Sequence, residues 1–316
     1  MPDLLLIGGA TDVMQQRMMK EFTVHKLADL SDFDAWASEH GAKVEAVATN
    51  GHDGVNPEIM AALPNLKVVS CNGVGYDAID ANACAARGIK VSHTPNVLNA
   101  EVANTTLLLM LAGFRNFRHD EAWARSGEWE AKGNAPLSRT PDNRTVGILG
   151  LGRIGQEIAD RLSIFNAKIV YHSRTKKDVE YTYYDNLVEM ARDVDVLICI
   201  TPGGSATNKI VNAEVLAALG SDGMLINVSR GSVVDEDALI AALSDGSLGM
   251  AGLDVFVAEP HIPDALKALD NVILLPHVGS ATIETRAAMG SLAVDNLLEF
   301  LKNGSVLTPV PECAHL

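Results

Sequence analysis

Residues 146–177, VGILGLGRIGQEIADRLSIFNAKIVYHSRTKK, contain the pattern that decides the fold. The stretch opens with an apolar run, 146–149, which is typical of a parallel strand buried on both faces. Ile154, Ile158 and Leu162 then recur at helical spacing, and a second apolar run covers 167–171. Strand, turn, helix and strand in this order indicate a βαβ unit, so we expect a parallel sheet here.

Three glycines between the first strand and the helix follow the GxGxxG spacing of a dinucleotide-binding turn. In such a turn the first glycine allows a tight bend, the second lets backbone approach a pyrophosphate, and the third lets helix pack on strand. Phosphate would lie at the helix N-terminus, where free N–H groups point outward. A purely structural glycine turn is the alternative, and the βαβ context favours the cofactor interpretation. The candidate cofactor-binding residues are Gly150, Leu151, Gly152, Arg153, Ile154 and Gly155.

The end of the second strand predicts which dinucleotide is bound. An NAD site usually has an acid about 20 residues after the first glycine, bonded to the ribose 2′-OH. This chain instead has Ser173, Arg174 and Thr175 there, followed by Lys176 and Lys177. Cations would attract a 2′-phosphate. NADP(H) is therefore the expected cofactor, with NAD(H) as the weaker alternative if the turn is only a solvated basic surface.

Composition restricts the classes of partner. The chain has 316 residues, 47% hydrophobic content and a formal net charge of −15, which favours two domains and argues against nucleic acid or an anionic membrane as a partner. Neither a signal peptide nor a membrane span is expected, because no cationic leader or long apolar run occurs. The cysteines, Cys71, Cys84, Cys199 and Cys313, lack metal-ligand or disulfide spacing, so we expect no metal site and a cytoplasmic location.

Apolar runs alternate with helical patterns along the whole chain, which predicts two α/β domains with doubly wound parallel sheets. Further strands are expected at 4–7, 44–48, 68–71 and 89–92, and then at 194–200, 224–228, 249–255 and 272–275. Long helices are expected at 101–117, 236–243 and 281–301. We assign residues 1–98 and 286–316 to one domain and 99–285 to the other, with the active site in the cleft between them. Residues 118–144, with Trp123 and Trp129, show no clear period and are interpreted as a functional arm or a subunit contact.

Arg230, Glu259 and His277 follow separate strands of the second domain and together suit ketone reduction. Histidine can deliver a proton to the oxygen as the alkoxide forms, and a neighbouring carboxylate would favour its protonated form. The arginine fork can hold the carboxylate and carbonyl of a 2-oxo acid. Taken singly, each could be structural: a core histidine, a salt-bridged arginine, a capping glutamate before Pro260.

Six ordered motifs resemble those of the D-isomer-specific 2-hydroxyacid dehydrogenases and cover nearly the whole chain. They are NGVGYD at 72–77, TPNVL at 94–98, GILGLGRIG at 147–155, NVSRG at 227–231, LDVF at 253–256 with Glu259-Pro260, and PHVGSAT at 276–282. The turn at 173–175 and the run EPHIP at 259–263 look most like the NADPH-preferring glyoxylate/hydroxypyruvate reductases of that family.

The resemblance implies a flavodoxin-like substrate domain, a Rossmann NADP-binding domain and a homodimer. It implies that Arg230 grips the substrate, that His277 is the acid in reduction, and that Glu259 orients His277. It also places Val228, Asp254 and Gly279 at the cofactor, and Val74 and Gly75 at the substrate carboxylate, where their backbone N–H groups would form an anion nest.

Two positions depart from the commonest family form: Val257 replaces an often acidic residue, and Ser229 stands where alanine is frequent. The expected activity is hydride transfer from NADPH to a small 2-oxo acid such as glyoxylate or hydroxypyruvate, giving the D-2-hydroxy acid. The alternatives are a nucleotide-sensing co-repressor on the same fold, which the acidic composition disfavours, another 2-hydroxyacid dehydrogenase, or a formate dehydrogenase, which carries glutamine where this chain has Glu259.

Overall fold

A computed structural model describes all residues, 1–316, and divides into two compact units: Met1–Leu98 with Thr282–Leu316, and Asn99–Ala281. The second segment of the first unit starts at Thr282, whereas the start expected from the sequence is residue 286. Thr282 accepts a hydrogen bond from the backbone N–H of Thr285 (3.2 Å) and caps the helix that begins at Ile283. Capping by a threonine hydroxyl satisfies an otherwise unpaired first-turn donor.

The first unit contains a five-stranded parallel sheet. Its strands are β1 (Asp3–Leu6), β2 (Thr23–Lys26), β3 (Val44–Asn50), β4 (Val68–Asn72) and β5 (Lys90–Ser92). The connecting helices are α1 (Asp12–Glu21), α2 (Phe33–His40), α3 (Pro57–Ala62) and α4 (Ala81–Ala86). The strand order β2-β1-β3-β4-β5 is that of a flavodoxin-like fold, as expected.

Alternating residues of this sheet enter two different hydrophobic cores, which is why both of its faces carry helices. Leu5, Val47 and Val69 belong to one core, whereas Leu4 and Val68 belong to the other. Successive side chains of a strand point to opposite faces. A strand that is apolar at every position therefore needs cover on both sides.

The second unit contains a seven-stranded parallel sheet of order β12-β11-β10-β9-β6-β7-β8. Its strands are β6 (Thr145–Leu149), β7 (Lys168–His172), β8 (Thr182–Tyr184), β9 (Val196–Cys199), β10 (Met224–Asn227), β11 (Met250–Leu253) and β12 (Val272–Leu274). Its helices are α5 (Asn99–Phe114), α6 (Phe117–Arg125), α7 (Glu128–Lys132), α8 (Arg153–Leu162), α9 (Leu187–Asp193), α10 (Ala213–Leu219), α11 (Glu236–Asp245) and α12 (Asp264–Lys267). The first six strands follow the order of a Rossmann fold, and the order of strand addition reverses at β6.

The last helix, α13 (Ile283–Asn303), belongs to the first unit and packs on β4 and α1. The Ser70 hydroxyl of β4 donates to the Ala293 carbonyl of this helix at 2.7 Å. None of the helices in the chain combines the length and apolar character that a membrane crossing requires.

Two local expectations were wrong, and two edge strands were not predicted. The edge strands β2 and β8 were not foreseen, because half-exposed edge strands such as TVHK lack a continuous apolar run. Residues 118–144 were expected to lack a regular period, but most of α6 and all of α7 lie in this region. The helix expected at 101–117 ends at Phe114, and Asn116 adopts a left-handed conformation (φ 49°) that breaks it before α6.

Candidate active site

The three glycines after β6 have three different surroundings, and each matches one requirement of a dinucleotide-binding turn. Gly150 has φ +103°, and a Cβ there would lie 2.8 Å from the Ile200 carbonyl oxygen. A Cβ on Gly155 would lie 2.5 Å from the Gly150 carbonyl oxygen, so the helix can approach the turn only at glycine. A Cβ on Gly152 would have no heavy atom within 4 Å. The backbone is therefore accessible at the one position where a pyrophosphate would approach it.

Helix α8 begins directly at this opening. Gly152 is its N-terminal cap and offers no side chain to the first-turn amides. Those amides have no acceptor within the helix, and they carry the positive end of its dipole. Since β6 lies between β7 and β9 at the switch of strand order, the turn occupies the position where open α/β sheets bind ligands. The residues present thus fit a dinucleotide.

The basic turn after β7 lies next to this position in the sheet. Ser173 is half-buried, whereas Arg174, Thr175, Lys176 and Lys177 are exposed. No carboxylate forms an ion pair with Arg174. The nearest acid along the chain is Asp178, beyond the turn. A concentrated positive charge is therefore available to an anion at the end of β7.

Glu259 and His277, which follow β11 and β12, form a direct hydrogen-bonded pair. The distance from His277 Nδ1 to Glu259 Oε2 is 2.7 Å. The other carboxylate oxygen, Oε1, accepts the Phe256 backbone N–H at 2.9 Å. The Glu259 side chain is 18% exposed and that of His277 is 43% exposed. The carboxylate is thus fixed on both oxygens, and the imidazole keeps one edge open to solvent.

A buried carboxylate holds the backbone on which His277 sits. Asp254 Oδ1 accepts the Val278 N–H at 2.7 Å, and Oδ2 accepts the Gly279 N–H at 2.8 Å. His277 itself has φ +53°, a conformation that costs free energy for a non-glycine residue and is often found at functional sites. Burial raises the pKa of Asp254, an effect that the two N–H bonds oppose. The hydrogen bonds from Val278 and Gly279 to Asp254 therefore hold the strained His277 backbone in place.

Arg230 is presented by a network that the sequence pattern did not reveal. Asn227, the last residue of β10, donates through Nδ2 to the Arg230 carbonyl at 3.0 Å. Its Oδ1 accepts both the N–H and the hydroxyl of Ser229, at 3.1 and 2.7 Å. The Arg230 guanidinium donates to the Ser229 carbonyl at 2.8 Å. The available signal was a polar residue ending an otherwise apolar strand.

The Arg230 loop lies directly on the Glu259 loop. A Cβ on Gly231 would lie 2.0 Å from the Phe256 carbonyl carbon, so only glycine permits this approach. Val228 is buried beside the network. The structure thus brings the loops that carry Arg230 and Glu259 together and joins Glu259 to His277. No group of three or more histidine, cysteine or acidic side chains is arranged to hold a metal ion.

Val74 and Gly75 follow β4 in the first unit. The Val74 carbonyl accepts a hydrogen bond from His93 Nδ1 at 2.9 Å, and the Gly75 carbonyl lies 3.7 Å from the Cys71 sulfur. Their expected contact with substrate stays a prediction.

Comparison with known proteins identifies the family. Residues 107–279 match the model of the D-isomer specific 2-hydroxyacid dehydrogenase, NAD binding domain. A glyoxylate/hydroxypyruvate reductase A of Arabidopsis thaliana is 41% identical, over 97% of this chain and 98% of the relative. A hydroxyphenylpyruvate reductase of Plectranthus scutellarioides is 43% identical, over 97% and 98%. The NADPH-dependent glyoxylate/hydroxypyruvate reductase of Sinorhizobium meliloti, solved with NADP and malonate, has a TM-score of 0.93 and 45% identity, covering 99% of this chain and 97% of that one.

The chain therefore belongs to the D-isomer-specific 2-hydroxyacid dehydrogenase family and is an oxidoreductase of that family. The resemblance noted from the six sequence motifs is confirmed. So is the expected pair of parallel-sheet α/β domains.

Proposed function

We propose that this oxidoreductase reduces small 2-oxo acids to D-2-hydroxy acids with NADPH. The observation that carries the proposal is the Glu259–His277 pair, joined at 2.7 Å on the same sheet edge as the glycine turn. A histidine with one nitrogen bound to a partly buried carboxylate and the other edge exposed is suited to exchange a proton with a substrate oxygen.

The proton step follows from the geometry of the pair. Because Nδ1 of His277 faces Glu259 Oε2, the Nδ1–H donates to the carboxylate, and Nε2 is the atom left for substrate. In reduction the imidazolium gives its Nε2 proton to the carbonyl oxygen as negative charge develops there, and Glu259 stabilises the positive ring before that transfer. NADPH, when bound, would supply the hydride that the carbonyl carbon accepts. In oxidation the neutral Nε2 takes the proton back.

Arg230 is proposed to bind the substrate carboxylate and carbonyl. Its backbone is fixed by Asn227, so its guanidinium starts from a defined position. A planar fork of donors matches two oxygens of a 2-oxo acid and orients the carbonyl for attack. Val228, Asp254 and Gly279 are proposed cofactor contacts, and Val74 and Gly75 proposed substrate contacts.

The NADPH preference rests on the exposed cation Arg174 and on the lack of an acid at the end of β7. Ser173 and Thr175 are proposed to contribute further polar contacts to the 2′-phosphate. The Sinorhizobium meliloti relative was solved with NADP, which supports the same choice. NAD(H) is the weaker alternative.

Glyoxylate and hydroxypyruvate are the proposed substrates, because they are named for relatives that cover almost the whole chain. The hydroxyphenylpyruvate reductase of Plectranthus scutellarioides is similar to the same degree. The substrate side chain is therefore the property that a panel of 2-oxo acids must resolve.

A homodimer in the cytoplasm is proposed as the working form. Phe117 and Trp129 of α6 and α7 are 61% and 63% exposed, and large aromatic residues are enriched in subunit interfaces. No disulfide joins the four cysteines, and all four are buried, as suits a reducing compartment. Light scattering coupled to size-exclusion chromatography tests the dimer.

The direct test follows NADPH absorbance after addition of glyoxylate, hydroxypyruvate or hydroxyphenylpyruvate, with NADH measured in parallel. We expect turnover with at least one acid, faster with NADPH, and a D-configured product from hydroxypyruvate. Binding of NADPH without turnover of any 2-oxo acid would refute the proposed reaction.

A further inference from the structure

The basic turn after β7 is closed by a buried tyrosine. Tyr171, the residue before the end of β7, is 0% exposed. Its hydroxyl accepts the Lys177 backbone N–H at 2.8 Å and donates to the Lys177 carbonyl at 3.2 Å. The strand that begins the turn therefore also holds its far end. Both bonds go to backbone, so they do not depend on the lysine side chain.

A second tyrosine holds the near end of the same turn. Tyr183 of β8 lies opposite Tyr171 in the strand register, with ring centroids 5.4 Å apart. Its hydroxyl donates to the Ser173 carbonyl at 3.3 Å. The Ser173 hydroxyl in turn donates to the Thr175 carbonyl at 2.8 Å. The segment that carries Arg174 is thus fixed on both sides by buried or half-buried hydroxyl groups.

We propose that Tyr171 is a positioning residue that sets the selectivity of this site for a 2′-phosphorylated nucleotide. The inference rests on the proposed NADPH preference and deepens it. Neither hydroxyl of the tyrosine pair is directed at a ligand, since each forms its hydrogen bonds with backbone groups of the turn. Their effect is to order Arg174 before the nucleotide arrives, so that less conformational entropy is lost on binding.

The test measures binding without catalysis. The chain without cofactor is titrated with 2′,5′-ADP and with 5′-AMP by isothermal calorimetry, for the wild type and for Tyr171→Phe. Loss of one to two net hydrogen bonds from the turn should weaken 2′,5′-ADP binding about 5- to 30-fold. Binding of 5′-AMP, which has no 2′-phosphate, should change less than about twofold. A purely structural role would weaken both nucleotides equally.

Matched variants distinguish the loss of the Tyr171 hydrogen bonds to the turn from other effects of substitution. Tyr184→Phe removes a hydroxyl on β8, the strand of Tyr183, that binds Asp193 (2.8 Å) and not the turn, so its selectivity should stay that of the wild type. Lys177→Ala keeps the backbone groups that Tyr171 holds and measures the charge of the side chain alone. If Tyr171→Phe does not fold, Tyr183→Phe carries the test, with a shift in the same direction.

Two results would overturn the inference: equal weakening of both nucleotides by Tyr171→Phe, or unchanged selectivity in a folded Tyr171→Phe or Tyr183→Phe. Arg174→Ala distinguishes this failure from that of the proposed cofactor. If Arg174→Ala leaves 2′,5′-ADP binding unchanged, the NADPH assignment fails. If it weakens that binding while the tyrosine variants do not, only the positioning role fails.

Discussion

Replacing Glu259 by glutamine tests the pair on which the proposed proton transfer depends. Oε1 of Glu259 accepts the Phe256 N–H at 2.9 Å, so this position in the variant requires the amide oxygen. The amide NH₂ group then faces His277 Nδ1 across the 2.7 Å contact. Because NH₂ only donates, Nδ1 must accept, and the single ring proton moves to Nε2. The imidazolium also loses its carboxylate partner.

The magnitude follows from the contact and its exposure. A hydrogen bond to a charged group contributes about 1.5 to 3 kcal/mol, or roughly 10- to 150-fold in rate. Since the His277 side chain is 43% exposed, water screens the pair, and we expect the lower part of this range, about 10- to 50-fold, for kcat/KM of reduction. Oxidation of the D-2-hydroxy acid should fall further, because Nε2 is already protonated and cannot act as the base.

Initial rates in both directions, with the melting temperature and the NADPH dissociation constant, provide the assay. Glu58→Gln is the matched control: it removes the same charge from an exposed residue of α3 in the first unit, and its rates should equal those of the wild type. A folded Glu259→Gln variant with kcat/KM within twofold of wild type in both directions would remove the glutamate from the mechanism.

Arg174→Ala should raise KM for NADPH about tenfold through loss of a charge-assisted bond, with little change for NADH; equal changes would contradict the 2′-phosphate assignment. Gly155→Ala should lower the melting temperature by about 2 to 12 °C, because its Cβ would meet the Gly150 carbonyl at 2.5 Å. Gly152→Ala, which points into open space, should melt like the wild type but bind NADPH more weakly, and unchanged affinity would remove Gly152 from the phosphate site. Burial raises the pKa of Asp254, so the folded chain gains stability as pH falls through that raised pKa, and asparagine lacks this gain. The deficit of Asp254→Asn in free energy of unfolding should thus be larger at about pH 4 than at about pH 7, as urea melts at both values will show; a deficit that shrinks on acidification would contradict the raised pKa.

The edge strands and the region 118–144 are the parts of the fold that sequence patterns did not predict. Strands β2 and β8 are half-exposed, so their residues need not be apolar, and periodicity carries little signal there. Helix α6 contains no buried residue, and its partly polar sequence did not indicate a helix. Hydrophobic periodicity arises from burial, and none of these three elements contains a buried residue.

The sequence by itself determined the buried strands of both sheets, the glycine turn and the polar residues that follow β10, β11 and β12. These features are local: buried strands must be apolar, and a tight turn against backbone must be glycine. Only the tertiary structure decided that Glu259 lies 2.7 Å from His277, that Asn227 fixes the Arg230 backbone, and that Tyr171 closes the basic turn. These contacts join residues whose spacing along the chain carries no periodic signal. They exist because parallel strands bring their carboxyl ends to one edge of the sheet.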